Sequence, residues 1–201
     1  MFYPSAQDTL RVTLKREWWR SWQAVLGGSD IKSLVFLDES SINLSYTRTY
    51  GRAKRGERIF EGLSDVRFER KSILSTVRLN GDQTPFIFNG TLNKELFADY
   101  LRNQLAPTLK EGDTIVLDNS SVHKSKLVRE TAKELGLKLL FLPPYSPDMN
   151  PIELLWSYMK NVLRRLRART MDALVPAIET ALSSITNDAI NGWFQHCGYG
   201  L

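Results

Sequence analysis

Cysteine is nearly absent from this chain of 201 residues, with Cys197 its only thiol. A single thiol excludes an internal disulfide framework and a zinc site built from cysteines. A reducing, cytosolic compartment is the expected setting. Long apolar runs are missing as well. No stretch approaches the length of a membrane span, and the N-terminus MFYPSAQDTLRVTLKREWW lacks the apolar core of a signal peptide. The expectation is a soluble, cytoplasmic protein with no membrane partner. Internal repeats, low-complexity tracts and a Pro/Gly/Ser-rich linker are also absent. The expected organisation is a helical extension or linker over residues 1–30, followed by one domain over residues 31–201.

What is present is an ordinary globular composition, 42% hydrophobic and 24% charged. Lys and Arg outnumber Asp and Glu by 27 to 22, giving +5 and a pI near 9.3. That mild excess is compatible with a nucleic-acid partner without identifying one.

The chain opens with a helical pattern from about Asp8 to Leu26, closed by a Gly pair and carrying Trp18, Trp19 and Trp22 on one face to pack against the body. KSLVFLDES reads as a buried strand that ends at Asp38 and Glu39. KSILSTVRL and TPFIFNG read as two strands separated by a turn, and NKELFADYLRNQLAPTL as an amphipathic helix. GDTIVLDNS repeats the apolar strand that stops at an aspartate, here Asp118. SKLVRETAKELG is a helix closed by Gly136, and LKLLFLPPY a third buried strand halted by Pro143 and Pro144. Helices follow from Pro151 to about Arg167 and over two later segments. The order implies a mixed sheet with helices on both faces, an α/β fold.

Ligands of such sheets sit at the carboxyl ends of the strands. Asp38 and Asp118 both fall there, and Glu153 enters from the first turn of a later helix. Three converging carboxylates repel one another unless a cation neutralises them. An all-oxygen set suits Mg²⁺ or Mn²⁺ rather than zinc. A pair of such ions performs in-line displacement at phosphorus, so the residues point to a metal-dependent nuclease or phosphoryl transferase.

LVFLDES, IVLDNSSVHKS and LLFLPPYSPDMNPIELLWSYMK together resemble the catalytic domain of mariner-like DDE transposases, in their bacterial insertion-sequence branch. YGRAKRGER, FNGTLNKELFADYL and ITNDAINGWFQHCGY extend the resemblance over nearly the whole chain from about Ser33. The 34 residues between Asp118 and Glu153 match the interval of that superfamily. The resemblance implies a ribonuclease H-like fold with a mixed five-stranded sheet flanked by helices, with N- and C-terminal helical additions. It implies that Asp38, Asp118 and Glu153 are the catalytic, metal-binding triad, with two Mg²⁺ or Mn²⁺ ions. The implied reaction is cleavage at transposon ends followed by strand transfer into target DNA, by a homodimer on DNA in a bacterial, nucleoid-associated setting. The helix-turn-helix region expected upstream is missing. That motivates an alternative, an inactive relic that binds DNA or protein; a cellular nuclease on the same fold is a third reading.

Each residue also has a plainer reading. Asn150, Pro151 and Glu153 fit the N-cap, N1 and N3 positions of a helix, resembling a capping box, a role compatible with ligation. Asp38 alone reads as a strand-end turn residue, and Asp118 with Asn119 as an Asx turn. Glu39 alternates to the other face. Asn119 and His123 recur beside the second aspartate in the family pattern, the first to orient ligands, the second to contact phosphate or shuttle a proton. Lys124 adjoins them as a DNA contact. Glu153, Ser157, Lys160, Arg164 and Arg167 share one helix face, with Leu155, Trp156, Met159, Leu163 and Leu166 as the apolar stripe beside it. That basic face is either a track for the DNA backbone or a solvated surface. RTYGRAKRGER, with Arg52, Lys54 and Arg55, is either a DNA or subunit contact or a surface hairpin.

Overall fold

The structure is a computed structural model that describes residues 9–42, 54–58, 71–167 and 170–200. Its centre is a five-stranded sheet of β1 (Leu34–Ile42), β2 (Lys71–Val77), β3 (Phe86–Asn89), β4 (Thr114–Leu117) and β5 (Lys138–Phe141), in spatial order β3-β2-β1-β4-β5. β1 to β3 form an antiparallel meander, whereas β4 pairs parallel with β1 and β5 parallel with β4. The mixed sheet is the one expected.

Strand alternation sends side chains to two separate cores. Leu34, Phe36, Ile73 and Val116 join one, covered by α1 (Leu10–Ala24), α5 (Pro151–Leu166), α6 (Met171–Ser183) and α7 (Asn187–His196). Val35, Leu37, Leu74, Ile115 and Leu117 join the other, covered by α3 (Lys94–Tyr100) and α4 (Lys126–Glu134). A one-turn helix α2 (Gly28–Lys32) leads into β1. On α5 the apolar stripe is buried at Leu155, Trp156, Met159 and Leu163, while Leu166, in the last turn, is exposed. The helix expected through Leu109 is regular only to Tyr100. A π-turn over Leu101–Leu105 and a 3₁₀ turn over Ala106–Thr108 follow, because Pro107 has no N–H to continue the ladder.

Three further readings are corrected. β1 does not stop at Asp38 but runs to Ile42, since β2 keeps pairing with it after β4 has ended. β5 is not fully buried: it lies at the sheet edge, with Lys138 exposed and the next three residues half-buried. Trp18 does not share the packing of its neighbours; it is 60% exposed, while Trp19 is buried and stacks at 4.8 Å on Trp22.

The described residues before 31, 9–30, are packed onto the body. Trp19 belongs to the main core and donates its indole N–H to the Tyr199 hydroxyl at 3.1 Å, and Gln23 donates to the Cys197 carbonyl at 2.9 Å. Tyr199 in turn donates to the Met149 carbonyl at 2.9 Å. Arg16 reaches the same loop, donating to Ser146 Oγ at 2.6 Å and to both carboxylate oxygens of Asp148 at 3.0 and 2.6 Å. The first helix and the chain's end thus brace residues 146–149, the approach to α5. Among the described residues no helix is long and apolar enough to cross a membrane.

Candidate active site

β1 and β4 run parallel with Phe36 opposite Val116. Continuing that register sets Asp38 level with Asp118, the residue after β4. Both sit on the same pleat as Phe36 and Val116, so they face the helical layer that contains α5. α5 begins at Pro151 and places Glu153 in its first turn. Asp38, Asp118 and Glu153 consequently line one cleft of about 410 Å³, walled by Asn119, Leu142, Pro143, Tyr145 and Ser146 among others.

Both aspartates are anchored by hydrogen bonds. Asp38 Oδ2 accepts the Trp156 indole N–H at 3.1 Å. Asp118 Oδ1 accepts His123 Nδ1 at 2.6 Å and the Ser120 N–H at 2.9 Å. The electrostatics differ accordingly. Burial first, then the charge of Glu153, with Asp118 adding to both, push Asp38 up to about 7 despite hydrogen bonds from the Glu39 backbone and Trp156. At Asp118 burial is outweighed by the His123 hydrogen bond, the Ser120 N–H and the charges of His123 and Lys124, which hold it below the usual carboxylate range. Burial, helped by Asp118, raises Glu153, and Lys160 opposes that shift.

The capping box does not form. Asn150 makes no side-chain cap bond, its own N–H donates to the Pro147 carbonyl at 3.1 Å, and Glu153 N–H donates to the Asn150 backbone carbonyl at 3.1 Å. Asn150 is 3% exposed, and its buried side-chain oxygen accepts no hydrogen bond from the helix N–H groups. The helix start is set instead by Pro151 and the preceding 3₁₀ turn, Pro147–Met149. Glu153 is left to the cleft.

The flanking residues divide. His123 is 2% exposed, with its ring tilted against that of Phe97 at 4.6 Å and its Nδ1 bonded to Asp118. Asn119 is committed to the Leu142 carbonyl and to Lys124, joining the ends of β4 and β5. Lys124, half-buried over the Phe141 ring, is correspondingly occupied. Lys160 and Arg164 are half-buried along α5, Arg164 bonded to Asn161, and Arg167 closes the helix in a left-handed conformation. Lys54 and Arg55 are exposed at a turn; Arg52 lies outside the described residues.

Trp156, Ser120 and Arg16 were not among the sequence candidates. Only Trp156 left a signal, sitting one turn after Glu153 on the helix. Trp156→Phe removes the donor while keeping a large apolar ring. It is expected to move the Asp38 titration above that of the wild type, read by carboxyl-carbon NMR. An unchanged midpoint would show that the indole N–H has no hold on Asp38.

A mixed five-stranded sheet with helices on both faces defines the ribonuclease H-like class. The likeness to solved structures agrees. The Mos1 transposase paired-end complex with left transposon end aligns with a TM-score of 0.81 at 16% identity, covering 98% of this chain and 62% of that one. The catalytic domain of Mos1 mariner transposase aligns at 0.71 and 16% identity, covering 98% of this chain and 91% of that one. The sequence profile described as "DDE superfamily endonuclease" matches residues 33–175. The chain belongs to the DDE superfamily endonucleases. It is similar to the Tcb2 transposase of Caenorhabditis briggsae, 26% identical over 182 residues, which are 82% of this chain and 64% of that protein. It is also similar to the Tc1 transposase of Caenorhabditis elegans, 31% identical over 98 residues, which are 49% of this chain and 36% of that protein. This chain therefore spans less than two thirds of these relatives' length.

Proposed function

We propose that this chain is the catalytic domain of a DDE transposase, with Asp38, Asp118 and Glu153 as its metal-binding triad. The observation that carries the reading is three carboxylates, from two adjacent parallel strands and one helix start, lining a single cleft in a member of the DDE endonuclease family.

The donor set fits a divalent cation. It is made of hard carboxylate oxygens, and the crowding that lifts Asp38 to about 7 is what a cation would relieve. Among the described residues no three His, Cys, Asp or Glu side chains close tightly enough to cage an ion alone. Asp38, Asp118 and Glu153 would hold the cation together with solvent or substrate oxygens. Mg²⁺ or Mn²⁺ bound there, two ions in our reading, would polarise the scissile phosphate and acidify the attacking hydroxyl. Crystal forms of the Mos1 paired-end complex with Mn and with Mg support that choice of metal.

The protein's own part is positional. Trp156 and the Glu39 backbone anchor Asp38, and His123 with Ser120 anchors one oxygen of Asp118. In the first step a water oxygen bonds to phosphorus as the P–O3′ bond breaks, releasing a 3′-hydroxyl. In the second step that hydroxyl bonds to a phosphorus of target DNA, and the target's own 3′-oxygen leaves. Lys160, Arg164 and Arg167, running along α5 from Glu153, and Lys54, Arg55 and Arg52 would carry the phosphate backbone.

The paired-end complex of Mos1 supports a homodimer on DNA. The bacterial, nucleoid-associated setting rests on motif resemblance, the relatives named above being nematode proteins. The test is nicking of supercoiled plasmid in Mn²⁺. The wild type is expected to relax it, and Asp118→Asn to lose that activity by at least about a thousandfold. Equal nicking by the two would refute the assignment.

A further inference from the structure

One residue of the cleft wall holds a backbone conformation that its residue type resists. Tyr145 sits at φ 55°, in the left-handed region that glycine adopts freely and a bulky side chain resists. Arg167 is the other described non-glycine residue there, and it is explained by closing α5. Tyr145 closes no helix.

Its neighbours impose the conformation. Pro143 and Pro144 restrict the chain before it. Ser146, directly after it, accepts from Arg16 at 2.6 Å and donates to the Pro144 carbonyl at 3.1 Å. Asp148 is held by the same guanidinium, and the Met149 carbonyl by Tyr199. Ser146 and Met149 are buried, whereas Tyr145 is 56% exposed beside the three carboxylates. The clamp presents an aromatic residue at the cleft wall in a place where glycine would serve the backbone better. Strain kept in this way marks a functional constraint.

We propose that Tyr145 is a stacking platform for the base of an unpaired nucleotide next to the phosphate held in the acidic cleft. The inference rests on the DNA-cleaving reading above and adds to it a residue that handles the substrate's base. A phosphate in the cleft brings its own nucleotide to the wall. A flat, half-exposed aromatic there takes a splayed base of any identity, because every base has a π-face. A base still paired in the duplex has no face to offer, so the platform favours ends that are frayed, nicked or tailed.

The probe is a short duplex with a single-stranded tail carrying 2-aminopurine beside the junction, bound in Ca²⁺. Wild type and Tyr145→Phe are expected to quench the fluorophore. Tyr145→Gly and Tyr145→Ala should lose the quench and bind the tailed probe about ten- to a hundredfold more weakly, with blunt duplex little affected. A merely structural tyrosine would instead lower stability and weaken both probes together, which overturns the proposal. Retention of quench and affinity by Tyr145→Gly overturns it equally. If the wild type binds neither probe and fails to nick plasmid in Mn²⁺, the proposed function itself falls and the inference with it. Wild-type nicking without any quench sinks the inference alone.

Discussion

Asp38→Asn is expected to raise the melting temperature of the metal-free protein at pH 8 while removing DNA cleavage by about a thousandfold or more. Burial and the neighbouring Glu153 charge hold the folded Asp38 at about 7, well above its ordinary 3.8. A carboxyl raised in the folded state favours folding at low pH, and that contribution is lost as pH rises through the folded value. Below about pH 4 the variant and the wild type should therefore differ little from this source. Between about pH 4 and pH 7 the wild type loses stability on the order of a few kcal/mol that the neutral amide keeps. Above pH 7 the gap should be constant. Thermal melts across that range, in chelator, measure it. A gap that does not depend on pH, or an Asn variant that melts lower at pH 8, would show that Asp38 is not under this strain. Added Mn²⁺ should stabilise the wild type and not the variant, because the cation relieves the same repulsion.

The second large effect concerns the scaffold. Arg78, just after β2, pairs with Asp113, just before β4, at 2.6 Å, and the two side chains are 7% and 6% exposed. Asp113 also accepts the Lys110 N–H at 2.6 Å. Burial works against the Asp113 charge, but the Arg78 hydrogen bond, the Lys110 N–H and the Arg78 and Lys110 charges outweigh it and lower its pKa. Arg78→Ala leaves the part-buried Asp113 carboxylate with the Lys110 N–H alone and should cost about 1–3 kcal/mol, read from the urea midpoint. Arg78→Met combined with Asp113→Leu removes both charges and should recover most of that loss. The sign with pH is opposite to that of Asp38. A carboxylate lowered in the folded state stabilises above its unfolded value near 4 and loses that effect as pH falls through the folded one. Wild type and Arg78→Ala should therefore converge in acid. A cost below about 1 kcal/mol at pH 7 would mean that the pair is effectively solvated.

The readable part of this fold was local. LVFL and TIVL are short apolar runs ending at an aspartate, and that is enough to place two carboxylates at neighbouring strand ends once the strands are taken as parallel. The apolar stripe on α5 likewise fixed which face of that helix is buried, and hence that Glu153 points elsewhere. What could not be read depends on partners distant in sequence. β1 passes through Asp38 because β2 keeps pairing with it to Ile42. β5 looks like a central strand in composition yet lies at the edge, a matter of sheet order alone. Asn150 has the residue type of a cap, but the loop held by Arg16 and Tyr199 turns it inward. Arg16 reaches that loop across 130 positions or more and Tyr199 across 50, beyond the reach of any local pattern. For His123 the sequence leaves open a phosphate contact and a place behind Asp118, because its burial against Phe97 depends on a residue 26 positions away.

The cation site is the centre of this account, and Mn²⁺ diffused into crystals of the protein tests it most directly. Anomalous scattering should place manganese between Asp38 and Asp118 with Glu153 facing it, and Asp118→Asn crystals should show the peak lost or greatly weakened. Saturating Mn²⁺ with no peak in that cleft, or a peak unchanged in the Asn variant, would contradict it.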